Sequence, residues 1–158
     1  MSLLPLFEWL GQTSLGVFMQ QSSYAFPVVE MVHLLALAML GGAILIIDLR
    51  LLGLGLKSHS AEDLALELMP YLTGSLIASV VSGLLLLSGE PLKCYYNLAF
   101  RLKMLFLALA VLIYFVVQMR ILKFEREGGR KFLQKFVAVV SLLLWLAVGL
   151  AGRAIGVI

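Results

Sequence analysis

The sequence predicts an all-α membrane protein: an antiparallel bundle of four transmembrane helices, preceded by an N-terminal amphipathic surface helix. Hydrophobic residues make up 62% of the 158 residues and charged residues 13%, whereas a soluble domain has about 45–50% and about 25%. The mean hydropathy is +1.05, and the apolar residues form four continuous runs, each close to the roughly 20 residues that cross a bilayer. This composition excludes a soluble enzyme, a disordered chain and a nucleic-acid-binding module.

Residues 3–19 are expected to form the surface helix. Glu8 and Gln12 interrupt its apolar residues, so the segment is too polar to span, and Trp9 is suited to the headgroup level. A cleaved signal peptide is the alternative. Such peptides begin with positive charge, however, and the first Lys or Arg of this chain is Arg50.

The predicted spans cover residues 24–47, 70–87, 99–119 and 136–158, within a single membrane domain of residues 1–158. Their connections are short, so consecutive helices are expected to pack antiparallel. Continuous rather than alternating hydrophobicity excludes β-barrel strands. Ser60 and Asp63 have capping-box spacing, which predicts the start of a helix there.

Several polar residues lie inside the predicted spans, where ionisable groups are costly and indicate function. Helical spacing puts Glu30, His33 and Gly41 on one stripe of the first helix, which must face the bundle interior. Lys103 lies near the start of the third helix, which runs parallel to the first. His33 and Lys103 are therefore expected in the same, outer half of the bundle, and Arg153 of the fourth helix shares this layer.

Each of these residues also has a structural interpretation. Glu30 could be an interfacial carboxylate, and Lys103 and Arg101 could extend outward as headgroup anchors. The serines of the second helix and the glycines of the fourth have the spacing of packing seams; they are Ser75, Ser79, Ser82, Gly149, Gly152 and Gly156. Trp145 lies in the middle of the fourth helix, so its N–H must find a partner or contact a ligand.

Two segments carry a resemblance to known proteins. The first runs from His33-Leu34-Leu35 through Gly41-Gly42 to Asp48-Leu49-Arg50-Leu51-Leu52-Gly53, and the second is Tyr95-Tyr96-Asn97-Leu98-Ala99-Phe100-Arg101-Leu102-Lys103-Met104. The chain resembles an uncharacterised family of short bacterial four-helix membrane proteins. More distantly, it is similar to the heme-dependent protoporphyrinogen IX oxidases and to the copper-resistance D-type membrane domains.

The resemblance to the oxidases implies a b-type heme protein of the membrane with an electron-transfer or oxidoreductase role. His33 and Lys103 match the proposed axial ligands by helix, side and approximate separation. Glu30 would orient the second imidazole nitrogen, and Gly41 would leave room for the macrocycle. Arg101, Arg153 or Lys93 would hold the propionates.

Other functions stay open at this stage. The chain could be a cofactor-free membrane subunit or small-solute permease in which His33, Glu30 and Lys103 fix helix packing. Copper handling is a further alternative, but the methionines form no MxxxM cluster. The expected partners are the lipid bilayer, an unidentified redox partner and a second copy in a two-fold dimer, with no nucleic acid. The sequence leaves open whether the chain is an enzyme.

Loop charges predict the topology in the bacterial cytoplasmic membrane. The first-to-second and third-to-fourth connections share one side and carry eight Lys and Arg residues, whereas the opposite side carries four. The positive-inside rule puts the eight in the cytoplasm and both termini outside. Reporter fusions at Gly128 and after Ile158 should therefore report cytoplasm and exterior respectively, and the reverse pattern would contradict this orientation.

Overall fold

The computed structural model describes residues 3–55, 60–118 and 131–155. Residues 119–130, which include most of the basic third-to-fourth connection, lie outside these ranges. Gly156 of the predicted packing seam and His59 also lie outside them. The helices are α1 (Leu4–Gln12), α2 (Ser14–Gln21), α3 (Ala25–Leu52), α4 (Ala61–Gly89), α5 (Pro91–Tyr96), α6 (Leu98–Leu112), a π-helical segment (Ile113–Gln118) and α7 (Lys131–Ile155).

The predicted fold class is confirmed. Four helices are long and apolar enough to cross a membrane, and the described residues form no strand; these helices are α3, α4, α7 and the stretch Leu98–Phe115. The second starts at Ala61 and the fourth at Lys131, whereas the sequence analysis began these spans at residues 70 and 136. Ser60 caps α4 as expected: its Oγ accepts from the Asp63 backbone N–H at 3.0 Å.

The predicted surface helix is split into α1 and α2. Thr13 has extended backbone angles at the break, and its Oγ1 accepts from the backbone N–H of Gly16 at 3.1 Å, which caps α2. Both helices are amphipathic. Trp9 and Phe18 point outward with 63% and 59% of their surface exposed, whereas Met19 is buried against Gly89.

This pair covers the end of the bundle where α3 begins and α4 ends, which we call the capped end. The opposite end, where α3 ends and α4 begins, is the far end. Gln20 Nε2 donates to the carbonyl oxygens of Gly11 at 3.2 Å and Ser88 at 3.5 Å, which joins α1, α2 and α4. The ring of Phe7 meets Tyr95 of α5 edge-on, with centroids 5.3 Å apart.

Helix packing divides the bundle into two pairs. α3 packs against α4, α6 packs against α7, and α3 also packs on α7. Toward the far end, a tight core surrounds Ile44 and Ile47, which are 1% and 0% exposed. Lipid is as apolar as these side chains, so close van der Waals packing holds the helices together here.

Asn97 lies between α5 and α6 and caps the start of α6. Asn97 Oδ1 accepts from the backbone N–H groups of Ala99 at 2.8 Å and Phe100 at 3.4 Å. This N-cap fixes where α6 begins. Lys103 then lies about one and a half turns into the helix.

We expect Gly16→Ala to loosen the N-terminal pair. A Cβ at Gly16 would lie 2.5 Å from the Leu10 carbonyl oxygen and 3.0 Å from that of Ser88, both backbone atoms that cannot turn aside. Such overpacking costs about 1–3 kcal/mol, so thermal unfolding in detergent should shift to lower temperature.

Gly149→Ala is the matched control for this substitution. Gly149 also lies in a helix, but a Cβ there would meet nothing within 4 Å. Its unfolding temperature should stay equal or rise, since Ala favours helix. Equal unfolding temperatures for both variants would contradict the packing described for Gly16.

Candidate functional site

His33 of α3 is the centre of a buried polar cluster. Its side chain is 8% exposed, and Nδ1 lies 2.9 Å from Ser82 Oγ on α4. The Ser82 hydroxyl donates its single hydrogen to the backbone carbonyl of Ala78, 2.6 Å away. Because this carbonyl is nearer to the hydroxyl than His33 Nδ1 is, we assign Ser82 as the acceptor and the hydrogen of the neutral ring to Nδ1.

Lys103 of α6 completes the cluster. Its Nζ lies 3.4 Å from His33 Nε2, the nitrogen whose lone pair is left available by the bond to Ser82. The lysine stem crosses α7 at Gly152, where an added Cβ would lie 3.6 Å from Lys103 Cε. The structure thus brings together the two residues that the sequence analysis expected in one layer.

The glycine nearest to the imidazole is Gly83 and not Gly41. A Cβ at Gly83 would lie 3.2 Å from His33 Cε1, whereas a Cβ at Gly41 would meet nothing within 4 Å. Gly41 lies about two turns further along α3, about 12 Å from His33 along the helix. Directly beside the imidazole it is α4 that provides space, at Gly83, and the role of Gly41 in making room for a macrocycle stays a prediction.

Glu30 does not orient His33. Its side chain is exposed, and the partner of Nδ1 is Ser82 on the neighbouring helix. The serine seam of α4 faces α3 instead: Ser75, Ser79 and Ser82 are all at least 94% buried.

The two arginines differ in their surroundings. Arg101 is exposed and turns back along the chain, where Nε and Nη2 both donate to the Tyr95 carbonyl oxygen, at 3.2 and 3.0 Å. Its guanidinium also lies over the Tyr95 ring, 5.5 Å from the centroid. Arg153 is exposed and follows Gly152, the residue against which Lys103 packs.

The cluster contains few groups that could bind a compact metal ion. Among residues 3–55, 60–118 and 131–155, no three or more His, Cys, Asp or Glu side chains gather as a metal site. His33 and Lys103 offer two nitrogen ligands, and Ser82 is already committed to hydrogen bonds. Such a set suits a cofactor that brings most of its own ligands.

Cys94 lies in the short helix α5, outside the long helices and close enough to Lys103 to interact with it electrostatically. Burial raises the pKa of its thiol, and the Glu90 carboxylate raises it further, while Lys93 and Lys103 act in the opposite direction. Glu90 also pairs with Lys93 at 3.1 Å. Cys94 is the only cysteine of the chain, so thiol labelling reports on this region alone.

Comparison with known proteins assigns no activity. The model of a family described as "Family of unknown function (DUF6644)" matches residues 6–158. No curated protein and no solved structure matches the chain. The family match agrees with the expected resemblance to an uncharacterised family, while the likeness to the oxidases and to the copper-resistance domains is not shown.

Labelling of Cys94 should be slow near neutral pH. A raised pKa leaves less of the reactive thiolate at a given pH, and each pKa unit lowers that fraction about tenfold. The labelling rate of folded protein with a soluble maleimide should therefore keep rising at pH values where that of SDS-denatured protein has levelled off.

Glu90→Gln tests the electrostatic part of this effect. Removing the carboxylate lowers the thiol pKa, so labelling should accelerate while the fold is kept. Identical pH profiles for folded and denatured protein would contradict the described environment of Cys94.

Proposed function

This chain belongs to the DUF6644 family, and we propose that it is a multi-pass membrane protein that binds heme b and carries electrons through it. The observation that supports this proposal is the buried pair of His33 Nε2 and Lys103 Nζ, 3.4 Å apart between two helix pairs. Both atoms carry lone pairs suited to iron once the lysine is neutral, and burial away from water favours the neutral amine.

The surroundings of His33 match those of a metal ligand. A ligating histidine usually donates its second ring N–H to a fixed acceptor, which sets the tautomer and the ring orientation. Ser82 supplies that acceptor from α4, at 2.9 Å from Nδ1. His33 Nε2 is consequently the nitrogen that would coordinate the iron.

If heme is bound, His33 Nε2 and Lys103 Nζ are the two protein nitrogens that would hold its iron. They lie 3.4 Å apart, and the flexible four-carbon stem of Lys103 allows its amine to move relative to the imidazole. α3 and α6 pack mainly on other helices rather than on each other, so no tight interface has to be broken between the two ligands.

Charged residues near Lys103 could hold the heme propionates. Arg153 is the better candidate, because it is exposed and follows the glycine that touches the lysine stem. Arg101 is engaged by the Tyr95 carbonyl oxygen and ring. When bound, heme b supplies a one-electron iron couple whose potential depends on its axial ligands and burial.

A cofactor-free role is the second candidate, and one observation favours it. Lys103, His33 and Ser82 form a continuous hydrogen-bonded chain that ends on the Ala78 carbonyl. Such a chain satisfies its polar groups without a ligand and would fix the register of α3, α4 and α6, as in a membrane subunit or a small-solute permease.

Visible absorption separates the two functions. Protein produced with ample heme and purified in mild detergent should show a Soret band. His33→Ala should abolish it, while Lys103→Ala should keep heme but change its spin state and its binding of external ligands. Ser82→Ala should weaken heme retention about tenfold or more, the usual cost of losing a group that orients a ligand.

His59→Ala and Lys131→Ala serve as matched controls. They remove the other histidine and a lysine exposed at the start of α7, so both should retain the wild-type spectrum. A colourless wild-type protein would refute heme binding and would favour the cofactor-free role, in which the hydrogen-bonded cluster fixes helix packing. A His33→Ala spectrum identical to wild type would refute the assigned ligand.

A further inference from the structure

Toward the far end, the bundle contains a second polar site, separate from His33 and Lys103. Tyr114 is 4% exposed, and Trp145 lies opposite it on α7. Within the described part of the chain, neither the Tyr114 hydroxyl nor the Trp145 Nε1 has a hydrogen-bond partner, although both atoms are buried. Buried polar groups are almost always hydrogen-bonded, so both groups need an explanation.

Local backbone structure directs Tyr114 inward. α6 changes to a π-helix at Ile113, and this segment includes Tyr114 and Phe115. A π-helical turn shifts the faces that later residues present, and such turns are frequent at functional sites. Here the tyrosine is buried, while 46% of the next residue, Phe115, is exposed.

A small cavity lies between these two residues. Its other walls are apolar side chains such as Ile44 and Leu72, together with Thr73 of α4, and its volume is about 10 Å³. A cavity needs roughly 10–15 Å³, together with two to four polar partners, to hold one water molecule. The volume is at the lower end of that range, and Tyr114, Trp145 and Thr73 are polar residues of the lining, so the cavity can hold one water molecule.

We propose that this cavity binds one ordered water molecule through the Tyr114 hydroxyl and the Trp145 N–H. Indole nitrogen is a donor only, so the water oxygen accepts from Trp145 and shares a hydrogen bond with Tyr114. The fully buried carboxyl group of Asp48 is close enough to Tyr114 to interact electrostatically.

Tyr114→Phe tests this site because it removes only the hydroxyl oxygen. If that oxygen bonds a water, the variant loses a hydrogen bond and its folded-to-unfolded ratio in detergent should fall roughly fivefold. If the oxygen has no partner, the substitution relieves a buried polar group and the ratio should rise. Tyr71→Phe is the matched control: Tyr71 is 58% exposed, and its variant should be unchanged.

Infrared spectroscopy identifies the ligand. Exchange into water labelled with a heavy oxygen isotope should shift a sharp O–H stretching band in wild type and in Tyr71→Phe, and the band should be missing in Tyr114→Phe. A more stable Tyr114→Phe variant would overturn the proposal. Lower stability without an isotope-sensitive band would also overturn it, because the acceptor would then be another molecule, such as a lipid carbonyl.

Discussion

A polar group inside a membrane-spanning bundle must find its partner within the protein, because the surrounding hydrocarbon offers none. This constraint organises both polar sites of the chain. Toward the capped end, Ser82 receives the imidazole N–H, and Lys103 faces the other ring nitrogen. Toward the far end, Tyr114 and Trp145 face a cavity of water size.

The serines of α4 show how the constraint operates. Each hydroxyl donates to a backbone carbonyl one turn earlier, so the oxygen stays available as an acceptor. Ser75 and Ser79 use this arrangement to be buried against neighbouring helices. Of these three serines, Ser82 is the one whose hydroxyl contacts His33 Nδ1, which leaves Nε2 facing Lys103.

Hydropathy and helical spacing predicted the four spans, the start of a helix at Ser60, and the placement of His33 and Lys103 in the same half of the bundle. They predicted the hydrogen-bond partner of His33 incorrectly. Spacing along α3 identifies Glu30 as a neighbour of His33 on the same helix, but it carries no information about which residue of another helix lies opposite. Ser82 took the role expected of Glu30 because the register between α3 and α4 depends on packing along their whole length.

The position of the N-terminal pair has a consequence for the order of assembly during synthesis. Gly16 and Gln20 pack on Ser88, whose residue number is 68 higher than that of Gln20. Since α1 and α2 are translated before α4, they cannot make these contacts until α4 has been made and inserted. The hairpin of α3 and α4 forms first, and α1 and α2 then pack onto its end.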